Sequence, residues 1–246
     1  MRHIPVTAGM VAVPYNLPGD LEGPLRLPRD VLGDIFAGVI TSWDDPRLVS
    51  ANPDLHLPHD TIRVVARLDG SGTTFAFTNH LNATSAAWRN IGVGVSTKVG
   101  WPAGAMRARG NEGVAGTIQR ADGTIGYVEY GFASRLGLPL AVLENAAGQF
   151  VVPSPESGAA AISEAPLPRD LKIDIPDPAG AGAYPIVTFT WELVRNRPED
   201  TATAEAIRAF TGWAVSEGQE LAAPLGYVPL PASVRERIGP EVAPAL

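Results

Sequence analysis

Thr61-Ile-Arg-Val-Val-Ala-Arg-Leu-Asp-Gly-Ser-Gly-Thr-Thr-Phe75 is the stretch on which the fold reading turns. Its β-branched opening, Thr61 to Ala66, reads as a central strand, and Phe75 to Leu81 beyond it reads as helix. A strand that runs through a glycine-rich loop into a helix places several backbone N–H groups at a helix start. Those groups lack intrahelical partners and carry partial positive charge, so they suit an anion. Gly70 and Gly72 allow positive φ and let the main chain approach a ligand, while Ser71 and Thr73 add hydroxyl donors. Arg67 offers a planar fork for two oxygens of a tetrahedral anion, and Asp69 is placed to hold that fork. The plainer alternative is that Ser71 or Thr73 only caps the helix and the glycines only make the turn. Residue chemistry leaves both readings open.

Outward from this segment, strands and helices alternate, which predicts an α/β sheet architecture. Val11 to Gly19 reads as a buried strand ending in a Pro-Gly turn. Arg29 to Gly38 reads as a short helix with Val31, Leu32, Ile35 and Phe36 on one face, and Trp43 packed nearby. Val114 to Gln119 reads as a further helix, Gly123 to Glu129 as turn and strand, and Ile186 to Trp191 as another strand. Residues 153–183, rich in Pro, Ala, Gly and Ser, form the best internal boundary or a long surface excursion. From Thr201 to Glu220 the pattern is helical, with Ala204, Ile207, Phe210 and Ala214 as the core-facing stripe.

The 246 residues suffice for one large domain or two modest ones, and 45% hydrophobic residues supply a core. A formal charge of −7 opposes broad nucleic-acid or anionic-membrane binding. It does not oppose a recessed anion, which responds to nearby donors more than to distant, screened carboxylates. The absence of cysteine removes disulfides, thiolate chemistry and Cys-type zinc sites. No apolar run has the length of a signal peptide or a membrane span.

Enzymatic and metal readings fail on detail. The Walker loop needs a Lys that the Gly72-Thr-Thr-Phe75 run lacks. A nucleophile elbow needs Gly two residues before Ser71, where Asp69 stands. His80 lies about 13 Å along a helix from Ser71, at 1.5 Å per residue, and is too far to act as its base. His56 and His59 flank Pro58 with Asp60 after them, which reads as a solvated loop before a strand rather than as ligands held on rigid elements, so no metal site is expected. No cofactor is expected either.

The chain resembles the phosphate-binding proteins that serve high-affinity phosphate ABC transporters. The resemblance runs in the family's order through Val13-Pro-Tyr-Asn-Leu-Pro-Gly19, Asp34-Ile-Phe-Ala-Gly38, Trp43-Asp-Asp-Pro46 and Arg67 to Phe75. It continues through Gly110-Asn-Glu-Gly-Val-Ala-Gly116, Gly123-Thr-Ile-Gly-Tyr-Val-Glu-Tyr130, Tyr184-Pro-Ile-Val-Thr-Phe-Thr190 and Gly226-Tyr-Val-Pro-Leu-Pro231. It implies a type II periplasmic-binding-protein fold of two lobes closing on a buried phosphate, without catalysis. It also implies Arg67 as charged donor, Asp69 as the carboxylate orienting it, and Ser71, Gly72 and Thr73 as hydroxyl and amide donors. The partners it implies are inorganic phosphate and the membrane permease subunits of the transporter, with a periplasmic or cell-surface location, no nucleic acid and no insertion into the membrane.

Members of that family carry further segments ahead of the matched region. These are a signal peptide, a Thr-Phe turn, a Ser-rich loop, and an Asp loop whose carboxylate accepts the proton of HPO₄²⁻. The resemblance therefore implies residues 1–14 as a first-lobe remnant and crossover, 15–184 as a complete second lobe, and 185–246 as the returning part of a partial first lobe. The helix in 185–246 should then expose apolar surface. Two other roles stay in view: a truncated paralogue acting as a partner-binding module, and a phosphoester hydrolase using Ser71.

Overall fold

A computed structural model of the chain describes residues 1–19, 21–163, 165–195 and 200–242, so 196–199 and 243–246, inside the segment read as first lobe, lie outside the described residues. The strands are β1 (Arg2–Ala12), β2 (Tyr15–Asn16), β3 (Arg26–Leu27), β4 (Arg63–Arg67), β5 (Met106–Ala108), β6 (Thr124–Gly126), β7 (Val128–Glu129), β8 (Val142–Glu144), β9 (Phe150–Val151) and β10 (Val187–Val194). The helices are α1 (Arg29–Phe36), α2 (Pro46–Ala51), α3 (Gly72–Thr84), α4 (Ala86–Asn90), α5 (Gly110–Arg120), α6 (Tyr130–Arg135), α7 (Pro155–Ser163), α8 (Thr201–Ala214) and α9 (Ala232–Val242).

Two sheets matter most. In one, β4 lies parallel to both β5 and β6, and β2 closes the β6 edge antiparallel, giving the order β2-β6-β4-β5. In the other, β1 pairs antiparallel with β10 over Arg2 to Met10 and then with β7 at Val11 and Ala12. A third, small sheet has the order β3-β8-β9. Only Tyr127 separates β6 from β7, so one residue carries the chain from the first sheet to the second. The mixed α/β architecture anticipated from the alternation of elements is what the chain adopts.

The expected strand at Val11 to Gly19 is displaced: β1 begins at Arg2 and ends at Ala12, and only Tyr15 and Asn16 pair beyond it. The early residues hide their strand character because Pro5 cannot donate to a ladder and Thr7, Ala8 and Gly9 form no apolar run. The ladder slips between Pro5 and Thr7, and the Val6 carbonyl accepts from Gln219 Nε2 at 2.7 Å. The same side chain's Oε1 accepts the Leu230 amide at 2.6 Å, so a buried glutamine ties the irregular strand to the C-terminal part of the chain.

The helix at Arg29 forms as expected, burying Val31, Leu32, Ile35 and Phe36, and Trp43 is fully buried. An aromatic cluster fills the space between α1, α3 and the first sheet. Phe36 meets Phe77 edge-on at 4.6 Å, and Phe77 stacks on Tyr127 at 4.5 Å. Each such pair adds about 1 kcal/mol beyond simple burial.

The 153–183 stretch is not a bare excursion, since it contains α7, which buries Ser157, Gly158, Ala161 and Ile162. Its small residues are what let it pack closely: a Cβ on Gly158 would lie 2.4 Å from Val228 Cγ2 and 3.0 Å from Met10 Sδ. In α8 the expected stripe is rotated. Ala204 is buried and Ile207 half-buried, but Phe210 is 56% exposed and Thr211 faces inward. Thr211 turns in because its hydroxyl donates to Glu192 Oε2 at 2.7 Å and lies 2.8 Å from the Ile207 carbonyl. Phe210 and Trp213 are left packed on each other, ring centroids 5.9 Å apart, at an uncovered apolar surface.

Candidate functional site

β4 delivers Arg67 to the end of the first sheet, and the chain then turns through Leu68 to Gly70 into α3. Ser71 caps that helix from extended backbone, its Oγ accepting the N–H groups of Thr73 at 3.1 Å and Thr74 at 3.3 Å. This cap explains why the helix starts at Gly72, earlier than Phe75. The Ser71 amide in turn donates to the Thr97 carbonyl at 2.8 Å, which anchors the loop. Neither Gly70 nor Gly72 adopts positive φ, contrary to one of the two reasons for expecting glycine there. The other reason fits: a Cβ at Gly72 would meet nothing within 4 Å, so the backbone faces open space.

The cap changes the donor inventory. Thr73 and Thr74 amides are engaged by Ser71 Oγ, while the Gly72 amide and the Thr73 hydroxyl have no partner among the described residues. Ser71 accepts twice through its lone pairs, which leaves its own hydrogen available to donate.

Arg67 is held by a carboxylate and an amide. Nε donates to Asp69 Oδ1 at 3.0 Å, Nη2 to Asp69 Oδ2 at 2.6 Å, and Nη1 to Asn111 Oδ1 at 3.2 Å. A guanidinium has five N–H groups, so two remain, one on each terminal nitrogen. The Arg67 side chain is only 9% exposed, and that of Asp69 25%. Arg67 first, and then the Gly110 amide at 3.1 Å, hold the Asp69 carboxyl well below the usual carboxylate range. The Arg67 amide donates to the Tyr127 hydroxyl at 3.2 Å, and that hydroxyl lies 2.7 Å from Thr74 Oγ1. Burial pushes the Tyr127 phenol up, so it stays a neutral hydroxyl linking strand end to helix start.

Of these groups, Arg67, Gly70 to Thr73, Thr97 and Asn111 line a cleft of about 770 Å³, while Asp69, Thr74, Gly110 and Tyr127 support them from behind. Arg67 and Gly70 to Thr73 form one wall. Gly9, Met10 and Val11 from β1, Thr188 to Trp191 from β10 and Tyr227 also line it, together with Glu129, Lys172 and Asp174. Arg67, Asp69, Ser71, Gly72 and Thr73 thus lie together between the end of β4 and the start of α3.

Other sequence candidates lie elsewhere. His80 is buried with Nδ1 2.8 Å from the Pro176 carbonyl, so it supplies Ser71 with no base. His59 pairs with Asp44 at 2.5 Å on the surface. Among the described residues no group of three or more His, Cys, Asp or Glu could hold a metal ion, and no helix is long and apolar enough to cross a membrane.

Residues 1–218 match the model of the PBP superfamily domain. The chain is 43% identical to the phosphate-binding protein PstS of Xylella fastidiosa over 240 residues, 97% of this chain and 65% of that one. It is 41% identical to the PstS of Haemophilus influenzae, over 94% of this chain and 69% of the relative. The chain belongs to the phosphate-binding protein family. Its fold is similar to that of a high-affinity periplasmic phosphate-binding protein solved with phosphate, at TM-score 0.75 and 26% identity over 96% of this chain and 70% of that one. The chain spans about two thirds of the length of the family members it matches.

Within this phosphate-binding-protein fold, sequence reasoning overlooked Asn111, Tyr127, Thr97 and Glu129. Asn111 and Tyr127 lie 44 and 60 residues from Arg67, and only sheet pairing brings them to it. The available signal for Asn111 was the Gly110-Asn-Glu-Gly113 turn, which resembles a helix start but names no partner.

Proposed function

We propose that this chain captures inorganic phosphate in the cleft beside Arg67, as the substrate-binding component of an ABC import system outside the cytoplasmic membrane. The observation that carries this reading is the donor set. The two uncommitted Arg67 N–H groups, the Ser71 and Thr73 hydroxyls and the Gly72 amide line one wall, with a helix start behind them. The names of the relatives agree with it. Arg67 is the charged donor, Asp69 its orienting carboxylate, and Ser71, Gly72 and Thr73 the neutral donors. Among the described residues Ser71 Oγ is hydrogen-bonded only to the Thr73 and Thr74 amides and to no base, so we read the role as binding without chemistry, with delivery to the permease subunits. We read 15–184 as the lobe that carries this wall and 185–246 as part of the lobe opposite. Titration calorimetry with phosphate and with sulfate tests the reading: saturable phosphate heat is expected, and no heat at millimolar phosphate would overturn it.

Glu129 gives this function a pH signature. Burial pushes its carboxyl up, and its side chain lines the cleft. As pH rises through that raised value, a negative charge appears near the anion, and the same ionisation removes stability that is fully present below the carboxyl's ordinary range. Glu129→Gln keeps the oxygen that accepts the Gly131 amide at 3.2 Å. On the alkaline side of that raised value the variant is expected to bind phosphate about fivefold more tightly than wild type, a repulsion of about 1 kcal/mol. On the acid side of that raised value, where the wild-type carboxyl is protonated, the two should converge. The wild-type-to-variant ratio cancels the titration of phosphate itself, and a ratio that stays flat with pH would contradict this account.

A further inference from the structure

The ion pair of Arg67 with Asp69 sits on a loop residue, and both of its halves are gripped by the start of α5. Gly110 donates its amide to Asp69 Oδ1 at 3.1 Å, and Asn111 Oδ1 accepts from Arg67 Nη1 at 3.2 Å. Asn111 is itself held, because the same oxygen accepts the Glu129 amide at 3.3 Å. Two N–H donors converging on one atom settle which end of the carboxamide faces them, since the NH₂ group could accept neither. The turn that makes this possible needs glycine at 110. Its φ is +70°, and a Cβ there would stand 2.7 Å from Glu112 Oε2.

Asp69 restrains Nε and Nη2 but leaves Nη1 unrestrained. We propose that Asn111 is the positioning residue for Arg67: its carboxamide oxygen, braced by the β7 amide of Glu129, fixes Nη1 so that one N–H of each terminal nitrogen stays turned to the cleft. The consequence for affinity rests on the phosphate reading above, whereas the restraint on Nη1 does not. An arginine fixed in this way loses little freedom when an anion arrives.

Nitrogen-15 side-chain NMR on the ligand-free chain reads the restraint, with the Arg67 signals assigned by their loss in Arg67→Lys. In wild type the two Nη1 protons should be resolved. In Asn111→Leu, which has the same shape without an acceptor, they should average by rotation about Cζ–Nη1. In Asn111→Asp, which keeps the acceptor, they should stay resolved. Phosphate affinity of the Leu variant should fall about tenfold, the worth of one such hydrogen bond. Resolved Nη1 protons in a folded Leu variant would overturn the proposal. If the Leu variant does not fold, averaged Nη1 protons in the Asp variant would overturn it instead. A wild-type chain that gives no phosphate heat refutes the functional reading, and the NMR comparison still decides the positioning role.

Discussion

Replacing Arg67 with alanine is expected to weaken phosphate binding about a hundredfold or more, a loss of about 3 kcal/mol, measured by titration calorimetry at neutral pH. Two effects add. The variant loses the two guanidinium N–H groups that have no partner among the described residues, each a charge-assisted donor in a nearly buried position. It also strands Asp69, whose protonation is suppressed chiefly by Arg67 and then by the Gly110 amide. At neutral pH that carboxylate remains ionised and repels the anion. Arg67→Lys keeps the charge but replaces the fork with a point donor, so it should lie between the alanine variant and wild type. Binding that is indifferent to both substitutions would place the anion elsewhere in the molecule.

Gly126→Val should cost about 3 kcal/mol of stability, the upper part of the range for overpacking. Gly126 lies on β6 beside β4, and an added Cβ would stand 2.6 Å from the Val65 carbonyl oxygen, 2.8 Å from Ile118 Cδ1 and 3.3 Å from Val114 Cγ1. The first of these is backbone and cannot swing away, while the other two belong to α5, which rests on the sheet at this point. Relief must come from lifting α5, the helix whose first residues hold Asp69 and Arg67. A fall in midpoint of about 6–12 °C in thermal denaturation is therefore expected, at roughly 2–4 °C per kcal/mol for a chain of this size. Weaker phosphate binding should accompany it below the transition. An unchanged midpoint would show that the helix has room the packing does not reveal.

The site residues proposed from sequence and those the fold adds to them differ in how far apart the chain places them. Arg67, Asp69, Ser71, Gly72 and Thr73 fall within seven positions, and a strand followed by a capped helix brings such neighbours together by local geometry alone. α1 was legible for the same reason, its apolar residues recurring at helical spacing. β1 was not, because Pro5 and the small residues after it mask a strand whose ladder is supplied by β10, far along the chain. Phe210 was assigned inward on periodicity, yet the orientation of α8 is set by Thr211 bonding to Glu192 on β10.

By itself, then, the amino-acid sequence determined the α/β character of the chain and the donor-bearing loop that we propose as one wall of an anion site. Both depend on residues adjacent in the chain, whose backbone geometry and hydrogen-bonding groups act over a single turn. Only the tertiary structure decided how that wall is held. Parallel pairing of β4 with β6 and the seating of α5 across them bring Asn111, Gly110 and Tyr127 to Arg67 from positions tens of residues away. It also decided that Ser71 spends its lone pairs capping α3, so the donors left for an anion are fewer than the loop first offers. A hydrogen-bonding group can be recognised from its residue type, but whether it is already occupied depends on every element folded against it.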